Sequence, residues 1–248
     1  MSENELLQLL QGNTFHFSCH KSIECFTKCC AALQLVLTPY DIMRMKTRLG
    51  IASDLFLETY TVTRIDRHPR FPMVLLKMTD DAAQTCPFVT SAGCALYEDR
   101  PGACRIYPLA RAAQRKSMGD ETKETYFLVR ENHCRGFEED HLWTVQSWMS
   151  DQGLTPYNTM NDQWLEITCS PRSLGPVREI PSKLQMFFMV SYNLDKFRRF
   201  LFGSRFFQRF YAPDDLQAQI EKDDVALMGF GFEWLKFSLF GLPTIKIK

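Results

Sequence analysis

Eight of the nine cysteines in this 248-residue chain fall between positions 19 and 134, and no other feature limits its architecture as much. The stretch CHKSIECFTKCC carries Cys19, Cys25, Cys29 and Cys30 with spacing C-x5-C-x3-C-C. Cys86, Cys94, Cys104 and Cys134 follow, while Cys169 stands apart. Dense cysteines either build a disulfide framework in a secreted protein or ligate metal in a reducing compartment. The opening MSENELLQLLQGNTF lacks a basic start and a continuous apolar run, so no signal peptide is expected. No window reaches the apolar run of about 18 residues that a spanning helix needs, so no transmembrane segment is expected. A cytoplasmic location follows, where thiols stay reduced and metal binding is the expected use of the cysteines. Their odd number agrees with that reading.

Charge narrows the partners. Lys plus Arg and Asp plus Glu both number 29, so the net charge is zero. Sequence-independent nucleic-acid binding relies on excess positive charge to neutralise phosphates, and none is expected here. A hydrophobic fraction of 45% and a charged fraction of 23% are those of an ordinary globular protein.

The coarse pattern predicts an α+β fold, mainly helical. Residues 4–11 read as a short amphipathic helix with Leu6, Leu7, Leu9 and Leu10 as its apolar positions. LTPYDIMRMKTRLG is the clearest helix. Thr38 suits the N-cap, Pro39 the first helical position, Asp41 the positive end of the dipole, and Gly50 a left-handed stop. Ser53 looks like the cap of a second helix, SDLFLETY. FPMVLLKMT, at 71–79, and ETYFLVRE, at 124–131, read as strands. They are expected to pair in a small antiparallel sheet beneath the cysteine loops. EEDHLWTVQSWMSDQG predicts a helix with Leu142, Val145 and Met149 on one side, and Gly153 at its end. His141, Trp143 and Trp148 belong to its packing.

A Pro-, Ser- and Gly-rich stretch, SPRSLGPVREIPS, suggests a division into 1–175, a loop-rich cysteine-cluster domain, and 176–248, a helical region. Twelve of the twenty phenylalanines lie at residue 187 or later, and no cysteine does. In FFMVSYNLDKFRRFLFGSRFFQRFY, Phe188, Tyr192 and Phe200, with Leu184 and Phe207, can share one broad helical face. Core packing is its simplest use, and docking of a protein partner or a membrane surface are the others.

Several familiar cysteine patterns are missing. No two cysteines are separated by two residues, which removes a thioredoxin-like pair, zinc-ribbon knuckles and the ferredoxin run. Cys25 and Cys29 begin a radical-SAM pattern, but Ala32 stands where its third cysteine belongs. The remaining chemistry is that of soft thiolates, four of which complete a zinc site or anchor a 4Fe–4S cluster. Eight cysteines supply two such sites, or one site plus other thiols. Successive side chains diverge, so Cys29 and Cys30 can serve different sites. His16, His20 and His133 flank cysteines but read as surface histidines. Glu98 and Asp99 fit a salt-bridged loop, and Cys169 reads as a small buried hydrophobe. Arg100, Arg105, Arg111 and Arg135 lie near cysteines in sequence, where cations would stabilise a negatively charged tetrathiolate.

These residues carry a resemblance. FSC, CFTKCC and LTPYDI, then CPF and GCALYEDRPGACRIYPL, then HCRGF, resemble the YkgJ-type cysteine-cluster family, described as zinc- or iron-chelating. Cys19, Cys25, Cys29 and Cys30 match its start, Cys86, Cys94 and Cys104 its centre, and Cys134, before Arg135 and Gly136, its end. Tyr97, Arg100, Pro101, Arg105 and Pro108 match its central non-cysteine positions. The likeness covers roughly residues 15–140, with a first gap of five residues where the commoner start has two or three. It implies a metal site made by these eight cysteines and names no substrate.

Three functions are open at this level. One is a redox or electron-transfer accessory protein with an iron–sulfur cluster, in which Arg100 and Arg105 hold the loop or balance thiolate charge. Another is a zinc-stabilised interaction module with a partner on the aromatic C-terminal helices. The third is a cluster-dependent modifying enzyme, since flagellin lysine methylases carry a similar cysteine pattern. The chain has no glycine-rich cofactor loop to support a bound methyl donor.

Overall fold

A computed structural model describes residues 6–114 and 123–248. The protein is mainly helical α+β, with several small antiparallel sheets. It divides into two compact units, one from Met1–Leu35 with Lys77–Asp162 and one from Val36–Leu76 with Gln163–Lys248, as far as these are described. The units therefore interleave along the chain, unlike the division at residue 175 that composition suggests. No helix among the described residues is long and apolar enough to cross a membrane.

The first unit contains all eight clustered cysteines. Its largest sheet has Lys123–Val129 in the middle, with Leu7–Leu9 on one side and Leu109–Gln114 on the other. A second pair joins Thr14–His16 to Leu142–Thr144, with Phe15 opposite Trp143. Their inward rings build a core of Phe15, Phe17, Leu109 and Trp148, to which Tyr107, Cys134 and Phe137 add their apolar surfaces. Phe17 meets Trp148, Tyr107 and Phe137 edge-on at centroid distances of 5.7, 5.9 and 5.4 Å, an arrangement aromatic quadrupoles favour. The two indoles are not left with idle donors. Trp143 Nε1–H donates to the Phe17 carbonyl at 2.9 Å and Trp148 Nε1–H to that of Ile106 at 3.0 Å.

The second unit is built on the clearest helix signal. Pro39–Leu49 is helical, capped by Thr38, whose hydroxyl accepts from the Asp41 N–H while the Asp41 carboxylate accepts from the Thr38 N–H. Gly50, at φ 65°, closes it. Met73–Leu76 is the central strand of a sheet with Val36–Leu37 and Thr61–Arg64, and all four of its residues are buried, which explains its unbroken apolar run. Phe71 stacks on Phe187 of helix Ile180–Tyr192 at 4.3 Å. Lys46 reaches Asp224 at 2.9 Å and Asp195 at 3.4 Å, and Arg198 reaches Asp224 at 2.6 Å. Burial opposes ionisation of both carboxyls. Hydrogen bonds from Ser53 to Asp195, and from Lys46 and Arg198 to Asp224, outweigh it and hold both below the usual carboxylate range.

Several local expectations are corrected. Leu7–Leu9 is a strand, not part of a helix, because so short a leucine run satisfies cross-strand pairing as well as helical packing. Residues 4 and 5 lie outside the described residues. The strands at 73–76 and 123–129 do not pair; they belong to different sheets, each with partners on both sides. Leu142 lies in a strand and is exposed, and the helix starts at Val145, ending at Asp151. Ser53 is the first residue of helix Ser53–Tyr60, with Ala52 at its N-cap, and its hydroxyl bonds Asp195 instead. The aromatic segment is broken by Asn193 into Ile180–Tyr192 and Leu194–Gly203. Its buried apolar positions are therefore Phe187, Val190, Tyr192, Leu194, Phe197, Leu201 and Phe206, while Phe200 and Phe202 stay exposed.

Candidate metal centre

The CHKSIECFTKCC stretch folds as a chain of tight turns. Ile23 N–H donates to the His20 carbonyl, Phe26 to Ile23, and Lys28 to Cys25, before a 3₁₀ turn at Lys28–Cys30. These turns absorb the long gaps between its cysteines. Thr27 and Ala32 hold positive φ of 65° and 53°, and Gln84, which faces Ala32 across a 2.9 Å backbone bond, holds 47°. Left-handed backbone at a β-branched residue costs on the order of 1–3 kcal/mol and is kept only where surroundings enforce it. All three positions lie in cysteine-bearing loops.

Distant segments close on this stretch at two places. On one side, Ser18 N–H donates to the Gly136 carbonyl at 3.0 Å and Arg135 N–H to the Cys25 sulfur at 3.2 Å. Gly136 is required there. A Cβ would stand 2.4 Å from the Phe17 ring and 2.8 Å from the Ser18 carbonyl oxygen. On the other side, Cys86 N–H donates to the Cys30 carbonyl at 2.7 Å, beside a bridge between Ala31 and Thr85. Cys86 then starts a turn into the small hairpin Val89–Thr90 and Gly93–Cys94, in which Val89 faces Cys94. Cys104 follows on the short helix Gly102–Ile106.

The sulfurs perturb one another in the same arrangement. Lost hydration, then the charges of Cys29, Cys25 and Cys134, push the Cys19 thiol up to about 11, although the residue reaches the surface. A hydrogen bond from Cys30 lowers Cys29 to about 7. That same bond, burial, and the charges of Cys29, Cys86 and Cys104 drive Cys30 far up. Burial raises Cys86, with a further push from Cys94. Burial also raises Cys134, against a contribution from the Tyr107 hydroxyl that favours its thiolate. Crowded thiols without a cation resist losing several protons together. Among the described residues, no group of three or more Cys, His, Asp or Glu side chains is arranged to hold a metal ion. The donor chemistry nonetheless fits a soft metal: eight reduced thiols lie in one unit, several in mutual electrostatic reach, with an amide donor already on Cys25. The Tyr107 hydroxyl adds to that fit. It is buried near Cys134 and has no partner of normal hydrogen-bond geometry among the described residues.

Arg100 and Arg105 hold loops, while Arg111 and Arg135 pair with carboxylates. Arg105, buried, donates to the carbonyls of Arg100 at 3.2 Å and Gln152 at 2.7 Å, and also to that of Glu98. Arg100 donates to the Tyr97 carbonyl at 2.6 Å and to the Gln152 side chain, with its guanidinium 3.7 Å over the Tyr97 ring. Arg100 also favours a nearby thiolate, that of Cys19, and the Arg135 guanidinium is likewise held charged in part by Cys25. Arg111 is taken up by Asp162 and Glu124, and the Arg135 guanidinium by Glu138. His16 faces the Asp140 carbonyl, His20 pairs with Glu139 and His133 with Glu131, as surface histidines do. Cys169 is exposed rather than buried, because helix Thr155–Thr168 ends just before it. Tyr107 and Gln152 carry parts that cysteine spacing gives no means of finding; the only sign of Tyr107 is its place between Arg105 and Pro108 in the central motif.

No curated protein and no solved structure matches the chain. Residues 18–135 match the CxxCxxCC family model, described as a putative zinc- or iron-chelating domain. That span takes in all eight cysteines and the Gly136 approach begins at its edge. This segment of the chain is thus similar to the CxxCxxCC family, and metal chelation is what that family is described by.

Proposed function

We propose that the protein is a cytoplasmic redox or electron-transfer accessory whose cysteines hold an iron–sulfur cluster, 4Fe–4S in form. Its ligands are drawn from Cys19, Cys25, Cys29, Cys30, Cys86, Cys94, Cys104 and Cys134. The observation that carries this reading is the pairing of hydrogen-bond donors with sulfur. The Arg135 amide bonds Cys25 and the spare Tyr107 hydroxyl lies near Cys134. Donors of this kind tune the potential of a cluster and stabilise its thiolates. A cluster, when bound, supplies one-electron redox chemistry. The protein residues orient its thiolates, and Arg100 and Arg105 fix the loop between Cys94 and Cys104 through its carbonyls.

One observation favours zinc instead: the aromatic cluster of Phe15, Phe17, Leu109 and Trp148 is small for so loop-rich a unit, and a zinc staple would add to it. In that case the exposed Phe200, Phe202 and Tyr211 are the residues on which a protein partner would dock. Anaerobic purification followed by metal and sulfide analysis and an absorption spectrum separates the two. Iron with acid-labile sulfide and a bleachable visible band is expected. Zinc without sulfide would overturn the cluster reading.

A further inference from the structure

The second unit carries a surface that the cysteine chemistry does not use. Helix Leu194–Gly203 buries Leu194, Phe197 and Leu201 but leaves Phe200 and Phe202 39% and 37% exposed. Every residue from Phe202 to Arg205 is exposed, and a Cβ at Gly203 would meet nothing within 4 Å. This segment is a tip that stands away from its neighbours. The short helix Phe206–Arg209 anchors it. Phe206 is buried against Trp234 at 4.8 Å and meets Phe200 at 5.9 Å, while Phe207 meets Phe202 at 5.3 Å. The exposed rings thus rest on a packed aromatic layer.

The apolar surface continues into a strand pair. Phe210–Tyr211 pairs with Lys246–Ile247, and Tyr211 is 51% and Ile247 68% exposed. Lys248 joins the pair to the tip. Its ammonium donates to the Phe207 carbonyl at 2.7 Å and its amide to that of Arg209 at 2.9 Å.

Charge decides what such a surface suits. Residues 196–211 hold Lys196, Arg198, Arg199, Arg205 and Arg209 and no acid. Arg198 is taken up by Asp224 and Arg199 by Asp54. Arg205, Arg209 and Lys246 are exposed, and among the described residues no ion pair holds any of them. The next acids, Asp214 and Asp215, lie in the first turn of helix Asp214–Lys222, where its dipole favours them. A protein partner needs a desolvated core of aromatic anchors, and rings already half covered supply little of one. A bilayer asks less of shape. Its interface accepts partly exposed aromatic and aliphatic side chains, while neighbouring cations face anionic headgroups.

We propose that this aromatic and basic face docks the protein on an anionic membrane surface. Phe202 and Tyr211 enter the interface, and Arg205, Arg209 and Lys246 face the headgroups. The docking is peripheral, since no helix among the described residues is long and apolar enough to cross a membrane. It stands independently of the metal reading, because the eight clustered cysteines lie in the other unit.

Cosedimentation of the full-length protein with lipid vesicles tests the proposal. Vesicles of phosphatidylserine mixed with phosphatidylcholine should bind it, and pure phosphatidylcholine vesicles should bind it far more weakly. Binding to the anionic vesicles should fall as salt rises. Each cation removed from such a surface lowers affinity about fivefold, so combining Arg205→Gln with Arg209→Gln should weaken binding roughly 25-fold. Phe202→Ser should weaken it at low and high salt alike. All of these variants should keep the metal content and circular dichroism of the wild type. Equal binding to both kinds of vesicle, or a folded double variant that binds as the wild type does, would overturn the proposal. No binding to anionic vesicles would overturn it in favour of a protein partner on the same residues. Should a variant fail to fold, the wild-type difference between the two kinds of vesicle decides.

Discussion

Tyr107 buries a hydroxyl near Cys134 without giving it a partner of normal geometry, and burial moves its ionisation well above the usual phenol range. A phenol held protonated is a donor, and the nearby thiol is the acceptor it lacks once that thiol becomes a thiolate. A buried unsatisfied hydroxyl costs the metal-free protein on the order of 1–3 kcal/mol. Tyr107→Phe should therefore stabilise the metal-free protein, by about 1 kcal/mol in urea denaturation, and weaken metal retention. A loss of stability in the metal-free state would show that the hydroxyl already has a partner there. At this scale the sequence was uneven as a guide. The eight cysteines are legible from spacing and resemblance alone. Tyr107 is not, because nothing in RIYP distinguishes a core aromatic from a thiolate donor until the ring is seen packed on Phe17. Cys169 misled for a similar reason, since burial of a lone cysteine depends on where its helix ends.

Short elements, rather than long ones, position the cysteines. The Thr38 cap and Gly50 stop of helix Pro39–Leu49 are legible because capping is local chemistry. Yet that helix belongs to the unit without the clustered cysteines. The pieces around the thiols are two- to seven-residue strands and turns whose pairing depends on distant partners, so local pattern could not say which strand meets which. Thus ETYFLVRE pairs with Leu109–Gln114 instead of Met73–Leu76. The turn at Gly136 is the most exacting of these pieces. A methyl group there meets the Phe17 ring and the Ser18 carbonyl at distances no real Cβ keeps. Gly136→Ala should cost about 1–3 kcal/mol through forced backbone movement. It should also lower metal content through Cys25 and Cys134, with the bonds from Ser18 and Arg135 displaced. Wild-type stability and metal content in this variant would mean that the closure is not needed.

Across the whole molecule, the chain passes from the first unit into the second and back before returning for good at Gln163. Composition hides such interleaving, because the Pro-rich stretch near residue 175 marks a loop as readily as a boundary. The phenylalanine-rich end is legible as core, with Phe187, Phe197, Phe206 and Phe232 all buried. The cysteine-rich unit carries a much smaller aromatic centre and eight free thiols, a balance in which bound metal supplies what apolar burial does not. That is the central claim, and metal content per chain tests it most directly, measured on anaerobically purified full-length protein beside its Cys104→Ser variant. The account predicts stoichiometric metal in the wild type and a sharp drop in the variant. A wild type without metal, or a variant that keeps the full amount, would contradict it.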